Sequence, residues 1–204
     1  MNREIGNKIE IYNRDESPFG KSWQEWTTEW WRWFLSIPRD QHPSYDNGHT
    51  IMVDNNQDPN VFFLAGTTGG KIRDRVALPP NRAVLLPVIN FTTSYSEEPV
   101  LITEAEMIKH AESNIDDIVK KEAIIDGTTL FISEKDRVRT APFDFAFPKN
   151  NIYGVKEGPS RGVGDGYWIF LKPMRPGSHN IKTYGSCLSG RIRIEVDVEL
   201  IIKS

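Results

Sequence analysis

The stretch SWQEWTTEWWRWFLSIP, residues 22–38, holds five of the six tryptophans of this chain within eleven residues. On a helical wheel, most of its apolar side chains fall in one arc about 100° wide, and its polar side chains lie opposite. Ser22 and Glu25 have the spacing of a capping box, and Pro38 prevents the helix from continuing. The pattern predicts an amphipathic helix over residues 22–37 that packs its tryptophans on the core of a domain.

Trp31 lies outside this arc, about 80–120° from its centre, with Leu35 one turn further on. The pair predicts a second apolar surface on the helix, which would suit a subunit contact. Trp31 is also a candidate ligand-binding residue. Carbohydrate binding by the other tryptophans is not favoured, because sugar-stacking rings must be exposed and these lie on the buried arc.

A second amphipathic helix is predicted over residues 104–121. Thr103 and Glu106 repeat the capping-box spacing, and the apolar side chains after them share one arc about 120° wide. Glycine is frequent in residues 150–166, where apolar residues are few. This composition predicts a long mobile loop there.

Most of the remaining chain consists of short apolar or alternating runs bounded by turn residues, as in strands. Pro87 interrupts the run AVLLPVINF, residues 83–91, and predicts a bulge or an edge position. The last run, RIRIEVDVELIIK at residues 191–203, alternates strictly, so one face of that strand is expected to be buried. A strand of this kind at a chain end can also pair with a second copy if its edge is exposed.

Nine or ten strands and two helices follow from these patterns, and the helices do not alternate with the strands. The sequence therefore predicts a mainly β fold: an antiparallel β-sandwich or jelly roll with two peripheral amphipathic helices. No composition break divides residues 1–204, so a single domain is expected.

Composition excludes some classes of function. Lys and Arg number 25 against 28 Asp and Glu, a net charge of -3 that offers no electrostatic basis for binding nucleic acid. No apolar run reaches the roughly 18 residues of a membrane span, and the N-terminus lacks the apolar core of a signal peptide. A cytoplasmic location is expected for the chain as written, or export if a signal peptide has been removed.

The best polar cluster is His42, Asp46 and His49, in the loop after the first helix. Two imidazoles and a carboxylate can form a metal-binding triad, and Asp54 is close enough in sequence to be a fourth ligand. The spacing matches neither the cupin pattern nor that of the zinc proteases. Turn residues that hydrogen-bond the backbone are the favoured interpretation, and no metal or other cofactor is expected.

Arg73 and Arg75 lie on one face of a predicted strand and are candidates for binding an anion, although a solvated strand face is the simpler interpretation. The preceding GTTGGK, residues 66–71, lacks the Ser or Thr and the helix that must follow the lysine of a phosphate-binding loop. A nucleotide site is therefore not expected there.

The motifs WQEWTTEWWRWFLSIP, HPSYDNG, NVFFLAGTTGG, LLPVIN and DGYWIFLKPMRPGSHNI together resemble those of a group of prokaryotic hypothetical proteins with no assigned activity. The resemblance covers most of residues 23–202. It implies that the tryptophan helix, the FLAGT segment and the PGSHNI hairpin belong to one domain, and it implies no catalytic residue.

The favoured function is a non-catalytic β-sandwich module that acts by binding a small molecule or a protein, or by self-association. The alternative is a metal-dependent or acid–base enzyme that uses the loop with His42, Asp46 and His49, with a glycine-rich loop as its lid. Tightly bound metal in the purified protein would separate the two hypotheses.

Overall fold

A computed structural model describes residues 9–44, 57–187 and 192–204. Over these ranges the protein is mainly β, with ten strands in two five-stranded sheets and two α-helices, α1 at Trp23–Leu35 and α2 at Glu104–Asp116. The strands are β1 Val61–Phe63, β2 Gly70–Leu78, β3 Ala83–Ser94, β4 Ile118–Ile125, β5 Thr128–Leu130, β6 Arg137–Arg139, β7 Phe143–Phe147, β8 Gly158–Leu171, β9 Gly177–Cys187 and β10 Arg193–Ile202.

The first sheet has the order β1-β3-β8-β6, and β7 also pairs with β8; the second has the order β2-β10-β9-β4-β5. Two of the described pairs, β1 with β3 and β2 with β10, are parallel, and the others are antiparallel. The described sheets are therefore mainly antiparallel, and these two pairs are the exceptions. In both cases other strands intervene in the sequence, and such long connections allow the partners to run in the same direction.

The central strands of the first sheet are buried on both faces. Leu85 and Phe170 pack in one cluster with the tryptophans of α1, whereas Leu86 and Ile169 pack in a second cluster with residues of the other sheet. The first sheet thus lies between α1 and the second sheet. This position explains why β3 and the end of β8 are continuous apolar runs, since neither face can be polar.

The predicted caps of both helices are present. In α1, the Ser22 hydroxyl accepts a hydrogen bond from the Glu25 N–H at 3.2 Å, and the Glu25 carboxylate accepts one from the Ser22 N–H at 2.7 Å. The helix ends at Leu35, ahead of Pro38, and its five tryptophans are all buried. Tryptophan packing on the core is therefore confirmed.

The prediction that Trp31 and Leu35 form a second exposed surface is wrong. Their exposed fractions are 2% and 0%. The physical reason is Gly164 on β8, where an added Cβ would lie 2.0 Å from Nε1 of Trp31. Because Gly164 has no side chain, the indole rests directly on the backbone of the sheet.

The predicted loop over residues 150–166 is also corrected, because its second half belongs to β8. Gly162, Gly164 and Gly166 are spaced by two and therefore share one face of the strand. A Cβ added at any of the three would lie 3.2 Å or less from neighbouring atoms. These glycines permit a close approach of neighbouring groups. They do not mark a flexible segment.

The second helix is shorter than predicted. It ends at Asp116, and residues 118–121 begin β4 instead. Ile118 and Val119 are β-branched and fit a strand as well as the apolar arc of a helix. Pairing with β9 favours the strand over the helix. In the strand, Ala123 and Ile125 lie on the same face, and both are buried in the core.

The last strand confirms the predicted alternation, since Ile194, Val196, Val198 and Leu200 are all buried. It is not an edge strand, however, because β2 pairs on one side of it and β9 on the other. The bulge predicted at Pro87 is present, as the register between β3 and β8 shifts between Pro87 and Ile89.

Candidate ligand-binding site

A cavity of about 150 Å³ lies where α1, β3 and β10 meet. In the described residues, β1 pairs with β3 only at Ala83–Leu85. The later part of β3 therefore extends beyond the end of β1. The cavity lies next to this part of β3. We call it the Trp31 pocket, and its rim includes Thr68, which is exposed to solvent.

Aromatic side chains form much of the wall of the Trp31 pocket. Trp31 and Phe34 come from α1, Phe91 comes from β3, and Tyr153 comes from the segment before β8. The rings of Trp31 and Phe34 meet edge to face with centroids 5.7 Å apart. The Tyr153 hydroxyl lies 3.0 Å from the hydroxyl of Thr92, which is also part of the wall, so this edge of the pocket is held by a hydrogen bond.

Two residues of the wall carry buried hydrogen-bond donors that have no partner among the described residues. They are Nε1 of Trp31 and Nδ2 of Asn90. The indole N–H groups of Trp26 and Trp30 donate to backbone carbonyls at 2.7 and 3.0 Å, whereas those of Trp33 and Trp168, outside the pocket, also have no partner among the described residues. Buried donors are nearly always hydrogen-bonded in folded proteins. Six further buried side-chain N or O atoms in the described part of the chain also lack a partner, and Nε1 of Trp31 lies over Gly164 of β8, so these two donors do not by themselves indicate a ligand.

Glu97 supplies the carboxyl group of the wall. Its Oε2 accepts a hydrogen bond from the Ser94 hydroxyl at 2.6 Å. Burial raises the pKa of Glu97 to about 7, because desolvation disfavours the charged form and the neighbouring Glu98 adds a like charge. At neutral pH this carboxyl is therefore divided between its protonated and ionised forms.

His42, the first residue of the predicted metal-binding cluster, is fully buried and bonded to the backbone. Its Nε2 donates to the Phe34 carbonyl at 3.0 Å, since its Nδ1 accepts from the Ser44 N–H at 3.2 Å. Burial lowers the pKa of His42 to about 4, so the ring is neutral at pH 7. This arrangement matches the turn interpretation of His42.

The other members of that cluster, Asp46 and His49, lie outside the described residues, as does Asp54. The triad as a set therefore stays a prediction. Within residues 9–44, 57–187 and 192–204, no group of three His, Cys, Asp or Glu side chains is placed to hold a metal ion.

Arg73 and Arg75 lie on the outer face of the second sheet. The parallel register of β2 and β10 places them opposite Asp197 and Glu199, at N–O distances of 3.4 and 3.1 Å. The carboxylates of Asp197 and Glu199 neutralise much of the positive charge of the two arginines, which is the charge that would attract an anion. Anion binding by these arginines stays a prediction, and the pairing favours the solvated-face interpretation.

Sequence reasoning identified Trp31 as a candidate but missed Asn90, Glu97 and Tyr153. A signal for Asn90 was present, since it is a polar residue that follows an apolar run suited to a strand buried on both faces. Glu97 lies in an ordinary polar turn, and its place in the wall depends on residues distant in sequence. Nothing local distinguishes it from Glu98.

No family model and no curated protein sequence matches this chain. Among solved structures, it is similar to a chain in the structure of PbICP-C in complex with falcipain-2, with a TM-score of 0.29 and 8% identity, over 71% of this chain and 99% of that chain. A likeness this weak carries no argument about fold or function. In the described part of the chain, no helix has the length and apolar character needed to cross a membrane.

Proposed function

We propose that this protein is a non-catalytic binding module and that it takes a small molecule in the Trp31 pocket. The observation that carries the proposal is a cavity of about 150 Å³ whose described wall combines the aromatic side chains of Trp31, Phe34, Phe91 and Tyr153 with the carboxyl group of Glu97. Walls that are mostly apolar and aromatic, with a few polar groups, are typical of small-molecule sites.

The volume of the pocket limits the size of its ligand. An engineered protein cavity of about 150 Å³ binds benzene, a molecule with six heavy atoms. The Trp31 pocket has a similar volume, so it suits a molecule of roughly this size or one end group of a larger molecule. A larger ligand would extend past Thr68 into solvent.

The proposed scaffold is a β-sandwich. Residues of both sheets, including Leu86 and Ile169 from the first and Val196 and Ile181 from the second, belong to one hydrophobic cluster. Shared burial of this kind is expected when two sheets pack face to face. A jelly roll is less well supported, because its strands are antiparallel whereas the β1–β3 and β2–β10 pairs are parallel.

Binding without catalysis is proposed because the described wall combines aromatic rings, hydroxyl groups and an amide with the single carboxyl of Glu97. Such groups orient and retain a ligand. Acid–base catalysis by a carboxyl needs a substrate and usually a second positioned titrating group. In the rival enzyme hypothesis, His42 would have to give up two backbone hydrogen bonds to become a ligand or a base.

Self-association was expected through the Trp31–Leu35 flank of α1 or through the edge of the last strand. Neither of them is exposed in the structure. Trp31 and Leu35 are buried inside the chain, and β10 is paired on both sides. Self-association and a protein ligand therefore stay predictions without an identified surface. The pocket is the better-supported basis of function.

The test is a binding screen by ligand-observed NMR with three probes: benzene, tetramethylammonium and acetate. The rim variant Thr68→Trp should block the pocket, and Thr129→Trp, at another exposed threonine on β5, is the matched control. We expect at least one probe to bind the wild type and the control but not Thr68→Trp. If no probe discriminates between the two variants, the pocket is not a binding site and the proposal fails.

A further inference from the structure

The described wall of the Trp31 pocket carries a carboxyl group and no basic side chain. Glu97 is the acidic residue of its wall, and the described wall includes no Lys, Arg or His. The adjacent residue, Glu98, adds a second negative charge to this turn. A basic side chain from the neighbouring strand does not compensate, because Arg161 on β8 pairs with Glu104 and Asp144 instead. An ionised Glu97 therefore lacks a cationic partner in the described wall.

The rest of the wall is rich in rings that attract cations. Trp31, Phe34, Phe91 and Tyr153 all line the cavity. A cation near the face of an aromatic ring gains about 0.5–2 kcal/mol, most for tryptophan, and clusters of such rings recognise quaternary ammonium groups. Aromatic rings with one carboxylate suit a soft organic cation better than a strongly hydrated metal ion, which needs several oxygen ligands.

Size agrees with this chemistry. Tetramethylammonium has five heavy atoms, and the cavity has the volume of one that accepts the six heavy atoms of benzene. Choline carries a group of this kind, because it is a trimethylammonium compound with a hydroxyl two carbons away.

We propose that the ligand of the Trp31 pocket is a small organic cation of the alkylammonium class, held by its aromatic rings and by the carboxylate of Glu97. The inference rests on the proposed function and narrows it to one ligand chemistry. The cation replaces the missing positive partner of Glu97 and occupies the space among the rings.

The first measurement compares choline with 3,3-dimethylbutan-1-ol by isothermal titration calorimetry at pH 8. The alcohol has the shape of choline but a carbon in place of the nitrogen, so it carries no charge. Most Glu97 side chains are ionised at pH 8, because their pKa is about 7. We expect choline to bind at least tenfold more tightly than the alcohol.

Lowering the pH to 6 protonates most of the Glu97 carboxyl groups. The ionised fraction falls from about nine-tenths to about one-tenth, so the affinity for choline should fall by up to about tenfold. The affinity for the alcohol should stay the same. The other titratable groups around Glu97 are Glu98 in the same turn, Tyr153 across the pocket, and Arg161 with its partner Glu104 on the adjoining strand and helix.

Two variants assign the effect to one carboxyl. Glu97→Gln removes the charge, retains an acceptor for the Ser94 hydroxyl, and should lower the choline affinity at pH 8 by about tenfold and abolish its pH dependence. Glu98→Gln is the matched control outside the wall, and should leave the choline affinity within about twofold. Thermal unfolding of both variants verifies that each is folded.

The outcomes separate the ligand class from the site. Equal affinities for choline and the alcohol, or unchanged choline binding in Glu97→Gln, would overturn the cation proposal and leave the pocket as an apolar binding site. Binding of benzene and the alcohol without choline would have the same meaning. If none of these probes binds, both the cation proposal and the proposed function fail.

Discussion

Replacing Gly164 by alanine is expected to destabilise the protein by about 3 kcal/mol, because the indole of Trp31 occupies the space that a methyl group needs. The new Cβ would lie 2.0 Å from Nε1, 2.3 Å from Cδ1 and 2.8 Å from Cε2 of Trp31. Ordinary contacts between carbon atoms are about 3.5–4.0 Å, so the ring must move by about 1.5 Å. Overpacking a core costs about 1–3 kcal/mol, and the upper end applies here because Trp31 is packed against Trp30, Phe34 and Trp168.

The assay is guanidinium chloride unfolding followed by far-UV circular dichroism. The matched control is Gly66→Ala, whose added Cβ would meet Pro87 Cγ at an ordinary 3.6 Å and should change the free energy of unfolding by less than about 1 kcal/mol. Trp31→Phe in the Gly164→Ala background should recover part of the loss, with a coupling energy of at least about 1 kcal/mol in the double-mutant cycle. Equal costs at Gly164 and Gly66, or additive effects of Trp31→Phe and Gly164→Ala, would refute the reasoning.

Two further predictions concern the core and a buried histidine. Val196→Asp should abolish folding, as judged by circular dichroism, because it buries an unpaired charge. Glu195→Lys, on the outer face, should lower the free energy of unfolding by less than about 1 kcal/mol. Equal effects of the two variants would contradict the assignment of the faces of β10. The His42 ring should titrate with a pKa of about 4 by NMR, well below the ordinary value of about 6.5. Since its folded pKa is depressed, the unfolded chain binds the proton first, and the stabilisation associated with neutral His42 should be lost as the pH falls from about 6.5 through 4. The loss should be smaller in His42→Gln, and a titration near pH 6.5 would show that the ring is not buried in solution.

Local patterns in the sequence were sufficient to predict both capped helices and the faces of the last strand. Capping boxes and strict alternation depend on residues within a few positions of one another, so they can be found without knowing the fold. The end of α2 could not be found in this way. Ile118 and Val119 fit a helix arc and a strand equally well, and the choice depends on β9, about sixty residues away.

The glycines of β8 show how composition can mislead. Their number suggested a mobile loop, but Gly162, Gly164 and Gly166 are spaced by two, which is the period of one strand face. This period was a readable signal of a strand that another element approaches closely. It accounts for the burial of Trp31, the residue whose exposure was wrongly predicted from the wheel of α1 alone.

The candidate site was predictable only in part. Trp31 was identified, because a tryptophan outside the main apolar arc is unusual. Asn90 and Glu97 become binding-site candidates only when α1 and β3 are brought together, and the raised pKa of Glu97 follows from burial that no local pattern reveals.

The most direct test of the Trp31 pocket as the binding site is an NMR titration of the indole N–H groups with choline. Six tryptophans give a small set of resonances, and Trp31→Phe identifies the one that matters. We expect the Trp31 resonance to shift most, whereas those of Trp23 and Trp26, which donate to Asn13 and Pro18 outside the pocket, stay in place. If the largest shift belongs to Trp23 or Trp26, or if saturating choline leaves Trp31 unchanged, the ligand does not bind in this pocket.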